Sequence, residues 1–413
     1  MLRAQLRDTH AATSETARGI NRGIVLNLIR KRQPISRADL ARVSGLQRST
    51  VSLIIEQLIR EKWVVAGPLG RLPRGRRPTF LQLNDRRATV LIDLRPTTTT
   101  IAISDANGRF LSQQEMPTPE DANTAAPELS AKIRRMISSH PELVFDGIGV
   151  SVPGRFDSQQ RIVFAPNLKW GAFDLRAPLE AATGLQVEME NAANACALAE
   201  VWFGHKDSTR DLVAVTVSEG IGVGVVSNGQ LVRGRDGMAG EFGHVPLDPN
   251  GPQCGCGARG CWEVYASNWA ALRYYHESSA NTGGLTFRHL LSLAESGDAL
   301  ALKALDRMAE AISRGMRMIV AGLSPEEIVF VGEFTRLWER FGPVIEAGVA
   351  ASVLVGKPPR VRPASAAPSA ARLRGTVAMV LQKHFGPTLE RRGQPRDTGR
   401  SHHRRQVEAR RSR

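Results

Sequence analysis

The stretch "GEFGHVPLDPNGPQCGCGARGCWE", residues 240–263, places three of the chain's four cysteines within eight positions, with His244, Glu241 and Glu263 beside them. Such a cluster serves as a metal site, a catalytic site or a scaffold, and its surroundings decide which. Few, clustered thiols in a reducing compartment favour metal binding over a disulfide framework. The rest of the chain predicts that compartment. No apolar run approaches the roughly 18 residues of a membrane span, and the opening MLRAQLRDTHAATSE lacks the apolar centre of a signal peptide. A cytoplasmic protein without membrane contact is expected.

With 413 residues the chain has room for two or three domains. Its net charge of +15 is unevenly spread. Residues 1–90 carry 18 Lys/Arg against 6 Asp/Glu, residues 386–413 carry 9 against 3, and the middle carries 28 against 31. A nearly neutral body with a basic head and tail points to a polyanion as the partner of the head.

Within the head, residues 18–84, "RGINRGIVLNLIRKRQ" sets Ile20, Ile24, Val25 and Leu28 on one helical face. Pro34 ends that helix, and Ser36 stands where "RADLARV" needs an N-cap. "SGL" supplies a turn, and a third helix follows with Val51, Ile54, Ile55 and Leu58 at i, i+3, i+4 and i+7. Arg48, Ser49 and Ser52 are left facing outward near its start, the part of a recognition helix that reads base edges. "WVVAG" and "PTFLQL" then read as two strands, joined by a loop holding Arg71, Arg74, Arg76 and Arg77. A basic hairpin tip of this kind grips phosphates or enters a minor groove. Helix, helix, turn, helix and basic hairpin together resemble a winged helix-turn-helix.

From residue 88 to 385 the texture is α/β. "TVLIDLRPTTTTIAISDANGRFL", "FDGIGVSVPGRFD" and "DLVAVTVSEGIGVGVVSNGQLVRG" read as strands, with Asn107-Gly108 and Asn228-Gly229 opening hairpin turns. Two strand-rich blocks separated by helices predict two lobes around a cleft. The tail, residues 386–413, is arginine-rich without apolar period and reads as disordered.

The motifs "GVSVPGRFD", "APNLKW", "ENAANACALAE", "GIGVGVVSNGQLVRG", "AGEFGH" and "CGCGARGCWE", over about residues 20–385, are similar to the ROK family of sugar kinases and transcriptional repressors. The resemblance implies a two-lobed, actin-like sugar-kinase fold and a homodimer or homotetramer. His244, Cys254, Cys256 and Cys261 offer one imidazole and three thiolates, a complete set for a closed, structural zinc ion. In the family the residues corresponding to Glu241 and Glu263 face the sugar, with the histidine bridging metal and sugar. The same comparison adds Gly154, Arg155 and Asn191 to the sugar site.

Four departures separate this chain from the family's kinases. The E-N-D motif, whose aspartate is the general base, reads Glu190-Asn191-Ala192. The first phosphate loop, D-x-G-x-T, reads Asp93-Leu94-Arg95-Pro96-Thr97, and the second, usually G-T-G, reads Ser218-Glu219-Gly220. The glycine cluster that receives adenosine is reduced to "FVGEF", residues 330–334. Base, both phosphate loops and the adenosine pocket are thus altered together. The expectation is a non-enzymatic, sugar-responsive regulator bound to palindromic operator DNA; a sugar kinase with an accessory DNA-binding head, or a body used only for oligomerisation, are the alternatives.

Overall fold

The computed structural model describes residues 14–69, 79–157, 159–168, 170–204, 209–279 and 284–385. Arg71, Arg74, Arg76 and Arg77 of the expected basic hairpin tip, and the tail 386–413, lie outside these residues.

The head comprises α1 (Ser14–Arg32), a two-residue strand β1 (Ile35–Ser36), α2 (Arg37–Ser44), α3 (Arg48–Arg60), β2 (Val64–Leu69) and β3 (Thr79–Leu83). Ser36 caps α2 as expected, its hydroxyl oxygen accepting from the Asp39 N–H at 3.2 Å. Gly45 adopts a left-handed φ of 71°, and its N–H bonds back to Ala41. That conformation stops α2 and releases the chain into α3. Val51, Ile54, Ile55 and Leu58 form the buried face of α3. β1, which no local pattern announces, pairs antiparallel with β3 and completes a three-stranded sheet ordered β1-β3-β2.

The face of α1 departs from the expectation. Ile20 and Ile24 remain 42% and 41% exposed, while Val25, Leu26 and Ile29 are buried. The helix is turned because its apolar face serves the chain's last helix as well as α2 and α3, a partner more than 300 residues away.

The first lobe is built from β4 (Arg87–Leu94), β5 (Thr98–Asp105), β6 (Phe110–Pro117), α4 (Ala122–Ser138), β7 (Val144–Val152), the short pair β8 (Arg155–Phe156) and β9 (Ile162–Phe164), α5 (Arg176–Thr183), β10 (Val187–Asn191) and α6 (Ala192–Phe203). Its sheet runs β10-β7-β4-β5-β6. β4, β5 and β6 form an antiparallel meander, and β7 and β10 add in parallel. The second lobe comprises β11 (Leu212–Val217), β12 (Ile221–Ser227), β13 (Gln230–Val232), α7 (Glu263–Ala266), α8 (Asn268–His276), α9 (Phe287–Glu295), α10 (Ala299–Leu323), β14 (Glu327–Val331), α11 (Trp338–Ser352) and β15 (Arg360–Pro363), after which the last helix, α12 (Pro368–Phe385), returns to pack on β4, β7 and β10 of the first lobe. Its sheet, β13-β12-β11-β14-β15, repeats the same plan of an antiparallel meander followed by two parallel strands. Asn228 and Gly229 both hold positive φ, 52° and 76°, at the β12–β13 turn, as a two-residue turn of this twist requires. The expected two-lobed α/β body is what the chain forms, with a mixed sheet in each lobe.

One apolar cluster crosses from head to body. It contains Val25, Leu26, Ile29, Ile55 and Leu58 of the head, Leu91 and Ala102 of the first lobe, and Leu373, Val377, Leu381 and Phe385 of α12. α12 also packs along α6, where a Cβ on Gly375 would stand 1.8 Å from the Ala195 carbonyl oxygen. Only glycine permits that crossing.

Candidate functional site: a cleft with a thiol-imidazole cluster

A cleft of about 1180 Å³ opens between the lobes. Gly154, Arg155, Asn191, Glu241, His244 and Glu263 all line it, although they come from four separate segments. β10 ends at Asn191, which caps α6: its Oδ1 accepts from the Ala193 N–H at 2.8 Å, and its Nδ2 donates to the Gly154 carbonyl at 3.0 Å. The amide is therefore fixed in orientation at the cleft wall. Gly154 has a further reason to be glycine, since a Cβ there would meet the Phe164 carbonyl oxygen at 2.5 Å. The Arg155 guanidinium lies over the Phe164 ring at 4.5 Å, with Nε 4.0 Å from Glu241 Oε2. Glu241 Oε2 in turn lies 3.7 Å from His244 Nε2.

The other imidazole nitrogen faces the cysteines. His244 Nδ1 is 3.6 Å from Cys254 Sγ, and Cys256 Sγ is 3.7 Å from Cys261 Sγ. The four donor atoms all fall within 4.8 Å of one another. Thiolate at about 2.3 Å and imidazole at about 2.0–2.1 Å from a tetrahedral ion would give S···S near ~3.8 Å and S···N near ~3.5 Å. The observed separations fit a single metal ion held by this set. Burial pushes the Cys254 and Cys261 thiols up, so a cation is what would ionise them. Glu263 abuts the cluster, Oε1 lying 3.1 Å from Cys254 Sγ, while its Oε2 accepts from the Ile221 N–H at 3.3 Å. The cysteine-bearing loop and the Ser218–Ile221 turn are thereby joined.

Ala192, the first residue of α6, lines the cleft with no acid–base group. Asp93 does not replace it: the carboxyl is buried, lies 3.8 Å from Arg372 Nη1 and is absent from the cleft lining. Arg95 and Glu219, one from each expected phosphate loop, pair with each other at 3.4 Å. Burial alone would raise the Glu219 carboxyl, but Arg95, a backbone amide and Arg372 outweigh it and hold the group below its ordinary range. Residues 330–334 do not line the cleft; Phe330, Phe334 and Trp338 pack as a ring cluster with centroids 5.6–6.2 Å apart.

Sequence reasoning missed several groups here. Arg233 Nε donates to Glu190 Oε2 at 2.8 Å, and Asn194 Nδ2 donates to Glu190 Oε1 at 3.0 Å, both at the cleft wall. Arg372 reaches the cleft from α12. No local motif marks Arg233 or Arg372; only the fold brings them in. Glu190 stands directly before Asn191, and that adjacency is the signal the sequence carries for it.

In the head, Arg48 and Ser49 are exposed at the start of α3 and Ser52 is half-buried on the same helix. No side chain caps α3, and its first turn carries no acidic residue, so the positive end of the helix faces outward uncompensated. Among the described residues no helix is long and apolar enough to cross a membrane.

Residues 89–383 match the ROK family. A xylose repressor of Bacillus subtilis is 34% identical over 317 residues, spanning 75% of this chain and 81% of its own length. A glucokinase of Thermotoga maritima is 35% identical over 271 residues, 62% of this chain and 85% of its own. A solved ROK family transcriptional regulator, described as a homologue of the E. coli MLC protein, superposes with a TM-score of 0.75 at 25% identity, over 90% of this chain and 99% of its own. That span is wider than the body alone.

Proposed function

The chain belongs to the ROK family, and on that premise we propose that it is a sugar-responsive transcriptional repressor whose kinase-like body has kept sugar recognition and lost phosphotransfer. The observation that carries this reading is a pair of helices joining cleft to head. α6 begins at Asn191 in the cleft, and near its end the Trp202 carbonyl accepts from Arg30 of α1, whose guanidinium lies over the Trp202 ring at 4.4 Å. α12 carries Arg372 at the cleft and finishes against α1, where the His384 and Phe385 carbonyls accept from Arg22 and Asn27 at 2.8 and 2.9 Å. A change at the cleft that moves either helix must move the head. Sugar with unequal affinity for two such arrangements shifts the population between them and so changes DNA affinity.

In this reading residues 18–84 act as a winged helix-turn-helix. α3 enters the major groove through Arg48, Ser49 and Ser52, and Arg71, Arg74, Arg76 and Arg77 bind phosphate or the minor groove. A homodimer or homotetramer would present two heads to a palindromic operator. The sugar site is Gly154, Arg155, Asn191, Glu241, His244 and Glu263. His244, Cys254, Cys256 and Cys261 would hold zinc, which when bound fixes the loop and leaves the second imidazole nitrogen directed at a sugar hydroxyl. The named xylose repressor among the relatives supports a pentose or related sugar as effector.

The glucokinase relatives supply the second reading, an ATP-dependent sugar kinase. Against it stand Ala192 in place of a base and an ion pair where phosphates would bind. A coupled ATP-turnover assay over a sugar panel tests the choice. Background turnover with every sugar is expected, and turnover above background with any sugar would restore the kinase.

A further inference from the structure

We propose that Leu53 is a specificity-determining residue of the head and reads the 5-methyl group of a thymine. The inference rests on the reading of α3 as the recognition helix. Leu53 is 67% exposed in the middle of α3, beyond a face already filled by Val51, Ile54, Ile55 and Leu58. A large apolar side chain held in water, on a helix surface that also exposes Arg48, Ser49, Glu56 and Arg60, gains free energy when a partner covers it. The charge balance of the head and the open positive end of α3 favour a polyanion as that partner. In the major groove of DNA the thymine methyl is the apolar group that A·T and T·A pairs present and G·C and C·G pairs lack, so it is the natural counterpart of an aliphatic side chain.

Position along the helix limits which thymine. Leu53 stands four residues after Ser49 and five after Arg48, a rise of about 6–7.5 Å at 1.5 Å per residue. At about 3.4 Å per base pair step, that places the methyl roughly two base pairs from the edge met by Arg48.

The test uses the full-length protein and the highest-affinity duplex recovered from a randomised DNA pool. Each thymine is replaced in turn by deoxyuridine, which removes the methyl and leaves the hydrogen-bonding edge intact. Affinity is then measured for the unmodified protein, Leu53→Ala and Arg48→Ala. One deoxyuridine, about two base pairs from the position at which Arg48→Ala relaxes preference, should weaken the unmodified protein about three- to fivefold, the worth of one buried methyl group. The same replacement should cost Leu53→Ala less than about twofold, a cutoff set by the sub-kilocalorie scale of surface effects. Leu53 is exposed, so its variant should keep the thermal midpoint of the parent. Equal response of both proteins to every deoxyuridine would overturn the assignment. So would a change in oligomeric state on Leu53→Ala with DNA preference unaltered, which would make Leu53 a contact between copies. Sequence-selective binding without a Leu53-dependent thymine defeats only this inference; absence of selective DNA binding defeats the repressor reading as well.

Discussion

Arg95 and Glu219 meet at 3.4 Å between the lobes, the first from the β4–β5 turn of one and the second from the β11–β12 turn of the other. By the resemblance drawn from the sequence, each turn stands where the family's kinases carry a phosphate-binding loop, and here the two turns bind each other. Bulk and charge at these positions oppose phosphate separately, and their pairing also ties the lobes together without nucleotide.

ATP should therefore leave the protein's thermal midpoint unchanged, since a ligand that does not bind the native state cannot stabilise it. Replacing Glu219 by Gln should cost no more than about 1 kcal/mol in urea unfolding, because both side chains are about 30% exposed and solvent screens the pair. Placing aspartate at Ala192 should still give no turnover, as the phosphate loops would remain closed by Arg95 and Glu219. A midpoint raised by ATP alone would contradict this account of the cleft.

Protein purified without added metal should contain one zinc per chain by elemental analysis. Cys256→Ser should lose the ion and unfold at lower temperature, because binding free energy at a site assembled by folding is also folding free energy. Metal-free unmodified protein would reject the zinc assignment.

The α6–α12 crossing should be intolerant of any side chain at Gly375. Gly375→Ala would drive a methyl into the Ala195 carbonyl and should cost about 1–3 kcal/mol or more, the range of overpacked cores. Urea unfolding of the variant measures the loss. Equal stability of the two proteins would show that the helices can part freely, which the proposed coupling between cleft and head does not allow.

His384 links stability to pH at the junction of head and body. Its ring lies 4.7 Å from that of Trp63. Burial, with Arg87, Arg22 and Lys383 nearby and only partly offset by Glu61, lowers its pKa from the ordinary 6.5 to about 4. The unfolded chain therefore binds this proton more readily than the native one between those values. The contribution is fully present above about pH 6.5 and is lost as pH falls toward about 4. Unfolding midpoints of the unmodified protein should drop more steeply over that window than those of His384→Gln. Parallel pH profiles would show the histidine to be solvated.

Much of this was legible locally. The Ser36 cap, the Gly45 turn, the buried face of α3 and the Asn228-Gly229 turn each follow from residue types within one or two helical turns. The thiol-imidazole cluster was legible from spacing, because three of its donors sit on one short loop and the fourth only ten residues before it. What escaped depends on distant partners. The face of α1 is set by α12, Arg372 enters the cleft from the end of the chain, and Arg233 reaches Glu190 from β13's far end. Arg95 and Glu219 were each visible as misfits for phosphate, yet their pairing spans 124 positions and needs the lobes to be assembled.

The central claim is that one chain couples sugar in the cleft to DNA at the head. The most direct measurement is operator affinity of the full-length protein across a panel of pentoses, hexoses and their derivatives, repeated with Glu241→Ala. At least one sugar should weaken DNA binding by the unmodified protein about tenfold, within the usual range of allosteric coupling. Glu241→Ala should bind DNA with the same sugar-free affinity and ignore that sugar, because Glu241 lies in the cleft and outside the head. An operator affinity indifferent to every sugar would contradict the account and leave the body as a scaffold for assembly.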